Sequence, residues 1–101
     1  HGHNYVLEVV LEGTPDPKTG MIIDLKDVKE ILEEEVVKPF DHRHLNHEVS
    51  AFKTVVPTTE NIAIYIWDRL KPHFEGTKAK LALVRLRETD DLYVEYDGTL
   101  T

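Results

Sequence analysis

Hydrophobic periodicity changes twice along this chain, and those changes most constrain its fold. Tyr5 to Glu12 reads YVLEVVLE, with Tyr5, Leu7, Val9 and Leu11 on one parity and Glu8 and Glu12 on the other. Period-two patterning of this kind is a half-buried strand. A loop dense in turn residues follows from Gly13 to Gly20, and Met21-Ile22-Ile23 reads as a short second strand, paired to the first as a hairpin. The period then lengthens to about 3.6. Asp24 is a helix N-cap, and Leu25, Val28, Ile31, Leu32 and Val36 make an apolar stripe to about Val37. Glu33, Glu34 and Glu35 read as a solvated face, and Pro39 stops the helix. A second helix opens at Thr58-Thr59-Glu60, carries Ile62, Ile66, Trp67 and Leu70, and ends at Pro72. Period two returns from Lys80 to Glu88, with Ala82, Val84 and Leu86 set against Leu81 and Leu83, and again from Leu92 to Tyr96. The order strand, strand, helix, helix, strand, strand predicts an α+β fold: a four-stranded antiparallel sheet with two helices on one face.

Composition narrows the function classes. With 101 residues the chain is expected to form a single domain, 1–101. Nineteen acidic against twelve basic residues give a net charge of −7, which argues against nucleic acid as a partner, because phosphate neutralisation needs clustered Lys and Arg. Its apolar runs fall well short of the roughly 20 residues a spanning helix requires, so no membrane partner is expected. There is no cysteine, which removes disulfides, thiolate metal sites and a thiol nucleophile from the residues shown. The first three residues are His-Gly-His, and a chain opening on such a motif reads as the remainder of a longer one, its first strand shortened.

Four groups of residues could carry chemistry. His1 and His3 stand two apart before a strand, so both imidazoles share the Tyr5/Leu7 face. Convergent imidazoles suit Zn²⁺, although a catalytic zinc usually takes three protein ligands, and a frayed terminal pair fits the same spacing. Asp41 beside His42 forms an acid–base unit, the carboxylate orienting the ring and stabilising its charged form. His42 and His44 read equally as a second metal pair, and His44 and His47 as exposed loop residues. Glu88 extends an apolar sheet face, where a carboxylate is costly without donors. It either meets water at the sheet edge or receives two N–H donors from an amidine-like edge of a heterocycle. Thr58, Thr59 and Glu60 are explained as a helix start, and Trp67 as core. A Gly-rich phosphate loop, a P-loop lysine and a nucleophile elbow are all lacking from the sequence.

Taken in order, His-Gly-His-Asn-Tyr at 1–5, Asp16-Pro17-Lys18-Thr19-Gly20-Met21, Lys38-Pro39-Phe40-Asp41-His42, Leu45-Asn46, Pro57-Thr58-Thr59-Glu60-Asn61-Ile62-Ala63, Tyr65-Ile66-Trp67 and Glu88-Thr89-Asp90 resemble the 6-pyruvoyl-tetrahydropterin synthase family, which includes 6-carboxytetrahydropterin synthases. The resemblance covers nearly the whole chain. It implies the tunnelling fold (T-fold), with subunits forming trimers whose sheets close into a barrel, trimers stacking into a homo-oligomeric hexamer, and active sites between subunits. It implies that His1 and His3 are two of three zinc ligands, that Asp41 and His42 belong to a proton relay, that Glu88 anchors the pterin ring, and that Thr58, Thr59 and Glu60 line the pterin pocket. The family's first zinc histidine and its catalytic cysteine precede the HGH motif, so both fall outside this sequence.

The activity so implied is that of a cytoplasmic zinc-dependent lyase on 7,8-dihydroneopterin triphosphate. Its product would be 6-pyruvoyl-tetrahydropterin, on the route to tetrahydrobiopterin, or 6-carboxytetrahydropterin, on the route to queuosine. With a net charge of −7, a triphosphate substrate calls for locally clustered Lys or Arg at the pocket mouth. The rival expectations are a dihydroneopterin aldolase-like enzyme on the same fold and a catalytically inactive binding or oligomerisation module.

Overall fold

The computed structural model describes residues 5–40 and 58–99. Its elements are β1 (Val6–Glu12), α1 (Leu25–Leu32), a π-helical turn (Glu33–Val37) continued by a last α-helical turn (Lys38–Phe40), α2 (Thr59–Phe74), β2 (Lys80–Arg87) and β3 (Tyr93–Tyr96). Among the described residues the sheet has three strands in the order β1-β2-β3, antiparallel throughout. The α+β class holds.

The fourth strand expected at Met21–Ile23 is not formed; Ile22 and Ile23 are bends. The preceding turn explains why. The Asp16 carboxylate accepts from the Lys18 and Thr19 backbone N–H groups at 2.7 and 3.3 Å, and the Asp16 N–H donates to the Met21 carbonyl at 2.8 Å. Helix α1 begins at once, with the Asp24 side chain capping the Lys26 N–H at 2.9 Å. Three residues between a closed turn and a cap cannot build a ladder, yet Ile22 and Ile23 still pack against the core.

β1 follows its predicted alternation. Tyr5, Leu7, Val9 and Leu11 pack on the core face, while Val6 and Val10 are exposed. β2 departs from it. The register runs Val10↔Leu83 and then Leu11↔Leu81, so Ala82 is the extra residue of a β-bulge. The bulge resets parity: Leu81, rather than Ala82, joins Val84 and Leu86 on the buried face.

α2 lies across this face. It buries Ile62, Ala63, Ile66, Trp67, Leu70 and Phe74, and α1 with the π turn packs against it through Val28 and Val36. The Trp67 and Tyr96 rings meet edge to face, with centroids 5.5 Å apart. Gly98 lies under Trp67 at φ +91°, where a Cβ would come within 2.6 Å of the indole. Both prolines expected to end helices lie inside them. Pro39 follows a π turn in which the Lys38 N–H reaches back to the Glu33 carbonyl, so the helix has already widened before the ring arrives. Pro72 is carried because Phe74, 3% exposed, buries its ring beyond it. Burying such a ring contributes about 1.5–3 kcal/mol, comparable with the roughly 3 kcal/mol an interior proline costs.

Candidate functional site

Three chain segments meet at one end of the sheet: the residue before β1, the start of α2 and the residue after β2. Thr58 caps α2 by accepting from the Asn61 N–H at 3.2 Å, which places Thr59 in the first turn. The Thr59 hydroxyl donates to Glu88 Oε1 at 2.6 Å, across 29 residues of sequence. Glu88 continues the Val84/Leu86 face and is half-buried. Its backbone is fixed by donation of its N–H to the Leu92 carbonyl at 2.8 Å, closing the turn into β3. The site thus places a carboxylate at the positive end of a helix, beside a hydroxyl donor.

Tyr5 belongs to the same cluster. The ladder ends at Val6↔Arg87, one residue short of Tyr5 on one segment and of Glu88 on the other. The Tyr5 hydroxyl meets both Thr59 and Glu88. Burial pushes this phenol above its ordinary value; the Thr59 bond opposes that, and the charge and acceptor oxygens of Glu88 add to it. Sequence patterning put Tyr5 on the right face but gave it no role, because its partner depends on register across a turn-rich span.

Of the residues predicted from sequence, Thr58, Thr59 and Glu88 come together here, Thr58 through its cap. Glu60 sits in the first turn of α2. His1, His3, Asp41 and His42 lie outside the described residues. Among the described residues, no three His, Cys, Asp or Glu side chains converge as a metal site.

The basic residues adjacent in sequence, Arg85 and Arg87, face the helix-free side of the sheet. Arg85 Nε donates to Glu95 at 2.7 Å, and Arg87 lies 3.5 Å from Glu8 and 3.6 Å from Asp90. The expected Lys/Arg cluster is therefore not supplied by these two side chains. A cleft of about 570 Å³ opens at the far end of α2 and β2, between Trp67, Lys71, Lys80 and Asp97. It contains none of the predicted site residues, and its mixed charges converge on nothing; the chemistry points to the Glu88 end.

Comparison with known proteins covers the same ground. The family model described as 6-pyruvoyl tetrahydropterin synthase matches residues 1–99. A 6-pyruvoyl tetrahydrobiopterin synthase of Pongo abelii is 45% identical over 98 residues, 97% of this chain and 66% of the relative. A dihydroneopterin monophosphate aldolase of Pyrococcus furiosus is 38% identical, covering 96% of this chain and 77% of the relative. A putative 6-carboxy-5,6,7,8-tetrahydropterin synthase of Archaeoglobus fulgidus is 36% identical, covering 94% and 73%. The solved structure of Caenorhabditis elegans 6-pyruvoyl tetrahydropterin synthase superposes with a TM-score of 0.86 at 40% identity, covering 98% of this chain and 69% of that one. The chain spans about two thirds of the length of the first of these relatives.

Proposed function

The chain belongs to the 6-pyruvoyl tetrahydropterin synthase family, and from that premise we propose that it acts as a pterin synthase on 7,8-dihydroneopterin triphosphate. The observation that carries this reading is the hydrogen bond from Thr59 to Glu88 at 2.6 Å. It holds a half-buried carboxylate ready to accept two N–H groups from one heterocycle edge. A 2-amino-4-oxo pyrimidine ring presents that edge. A carboxylate accepting two N–H groups fixes a ring in plane and in rotation, so the substrate side chain is delivered to one place.

In this reading Glu88 binds and orients the ring, Thr58, Thr59 and Glu60 form the pocket wall, and Asp41 and His42 move protons at the substrate side chain. His1 and His3 are zinc ligands, their paired imidazole nitrogens being a suitable donor set. Bound zinc supplies Lewis acidity toward the side-chain hydroxyls. The protein assembles as a T-fold trimer or hexamer, which covers the outer edges of β1 and β3 that the sheet leaves open among the described residues.

A second reading, aldol cleavage of a dihydroneopterin, is favoured by the match to the Pyrococcus furiosus aldolase; the retained HGH motif favours the synthase. One experiment separates them. Full-length protein is incubated with 7,8-dihydroneopterin triphosphate and the products are identified by mass. Release of triphosphate with 6-pyruvoyl-tetrahydropterin, or acetaldehyde with 6-carboxytetrahydropterin, supports the synthase. A 6-hydroxymethyl-7,8-dihydropterin with a glycolaldehyde that still carries the phosphates supports the aldolase, and unchanged substrate sinks the synthase.

A further inference from the structure

We propose that Tyr5 is a positioning residue for Glu88: its hydroxyl, together with that of Thr59, fixes the plane of the carboxylate and leaves two acceptor directions aimed at a donor–donor ligand edge. The inference rests on the reading of Glu88 as the ring anchor and extends it to selection of the ring.

The register brings Tyr5 to this place. Leu7↔Leu86 and Val6↔Arg87 are paired, and Tyr5 and Glu88 are the next residue on each chain segment, just past the end of the ladder. Tyr5 is half-buried and packs against the core, so its ring is held while its hydroxyl meets Thr59 and Glu88. An ionised carboxylate offers about four lone-pair sites and no proton. Thr59 and Tyr5 each bring one O–H to the cluster. With both donated to the carboxylate, two lone-pair sites remain, enough for one bidentate N–H pair.

Two consequences follow for ligands. With both hydroxyls turned to it, the Glu88 carboxylate presents only acceptors to a ligand. A ring with adjacent N–H donors, as in a 2-amino-4-oxo pteridine, then satisfies the site. A 2,4-dioxo pteridine places an oxygen against the carboxylate and is rejected, because a buried acceptor is left facing an acceptor.

The test is equilibrium binding of neopterin and of its 2,4-dioxo counterpart to full-length protein, followed by ligand fluorescence at neutral pH, for the wild type, Tyr5→Phe, Thr59→Val and Glu88→Ala. Neopterin needs no turnover to be read. Tyr5→Phe is expected to weaken neopterin binding roughly 3–10-fold and to narrow the preference over the 2,4-dioxo ring, because the carboxylate plane is no longer held. Thr59→Val is expected to narrow the preference in the same way. A purely structural role for Tyr5 would lower the melting temperature without changing that preference. If Tyr5→Phe matches the wild type in both affinity and preference while Glu88→Ala has lost binding, the positioning role is overturned and the anchor stands. If Glu88→Ala binds neopterin as the wild type does, the anchor reading falls and the inference falls with it.

Discussion

A carboxylate on an apolar face is destabilising until donors reach it, and Glu88 is met by Thr59 at 2.6 Å. Removing the donor and removing the carboxylate should therefore have opposite emphases. Glu88→Ala is expected to weaken neopterin binding by about 100-fold or more, because both bonds of a bidentate charged contact are lost, with little cost to folding. Thr59→Ala is expected to cost about 1–3 kcal/mol of stability in urea denaturation, because it leaves a half-buried acceptor short of a donor. Glu35 behaves differently. The hydrogen bond from His73 holds its carboxyl below the ordinary glutamate value; desolvation opposes this, and Arg69 reinforces it. A depressed carboxylate contributes stability that is present above its unfolded value and is lost as pH falls through the folded one. Glu35→Gln should therefore be less stable than the wild type at pH 6, by roughly 0.5–1 kcal/mol, with the gap narrower at pH 3. Equal gaps at both pH values in denaturant titrations would remove this account. At this scale the sequence made Glu88 and Thr59 legible, because a carboxylate at an apolar parity and a threonine at a helix start are local signals. Tyr5 and Glu35 were not legible as partners, since each acts across a distance that only the packed chain defines.

Elements were readable where a local rule governs them. Asp24 and Thr58 cap the helices as the sequence predicts, and both occupy extended backbone at φ −69°. Thr58→Ala should cost about 1 kcal/mol in thermal or urea unfolding, the usual loss of a capping oxygen. What failed were rules of position applied without context. Proline was expected to end both helices, yet the π turn before Pro39 and the buried ring of Phe74 after Pro72 carry the helix onward. Alternation was expected to hold through β2, yet the bulge at Ala82 breaks it. The strand expected at Met21–Ile23 has the right residues but too little chain between the Asp16 turn and the Asp24 cap. Gly98 shows the same dependence on packing. Gly98→Ala should lower stability by about 1–3 kcal/mol, through positive φ and the Trp67 contact together, and near-ultraviolet circular dichroism of Trp67 should change with it.

For the whole molecule, the helix-free face combines exposed Val6, Val10 and Tyr93 with the Glu8–Arg85–Glu95 ion pairs. Under the proposed assembly, full-length protein should sediment as a homotrimer or hexamer; a monomer at micromolar concentration would remove the barrel from the reading. Zinc chelation, or His1→Ala with His3→Ala, should abolish turnover while leaving neopterin affinity within about twofold, because ring and side chain are held by separate groups. Turnover that survives both treatments would remove the metal from the mechanism. The bulge at Ala82 bears on how such a chain can vary. It lies between the Lys80 end of β2 and the Glu88 end, and a strand that already contains an extra residue can take up a change of phase there. Length variation in the Glu75–Lys78 connection could then be absorbed before it reached Val84, Leu86 and Glu88. Ala82 acts as an expansion joint, leaving one end of the sheet free to drift while the other keeps its aim.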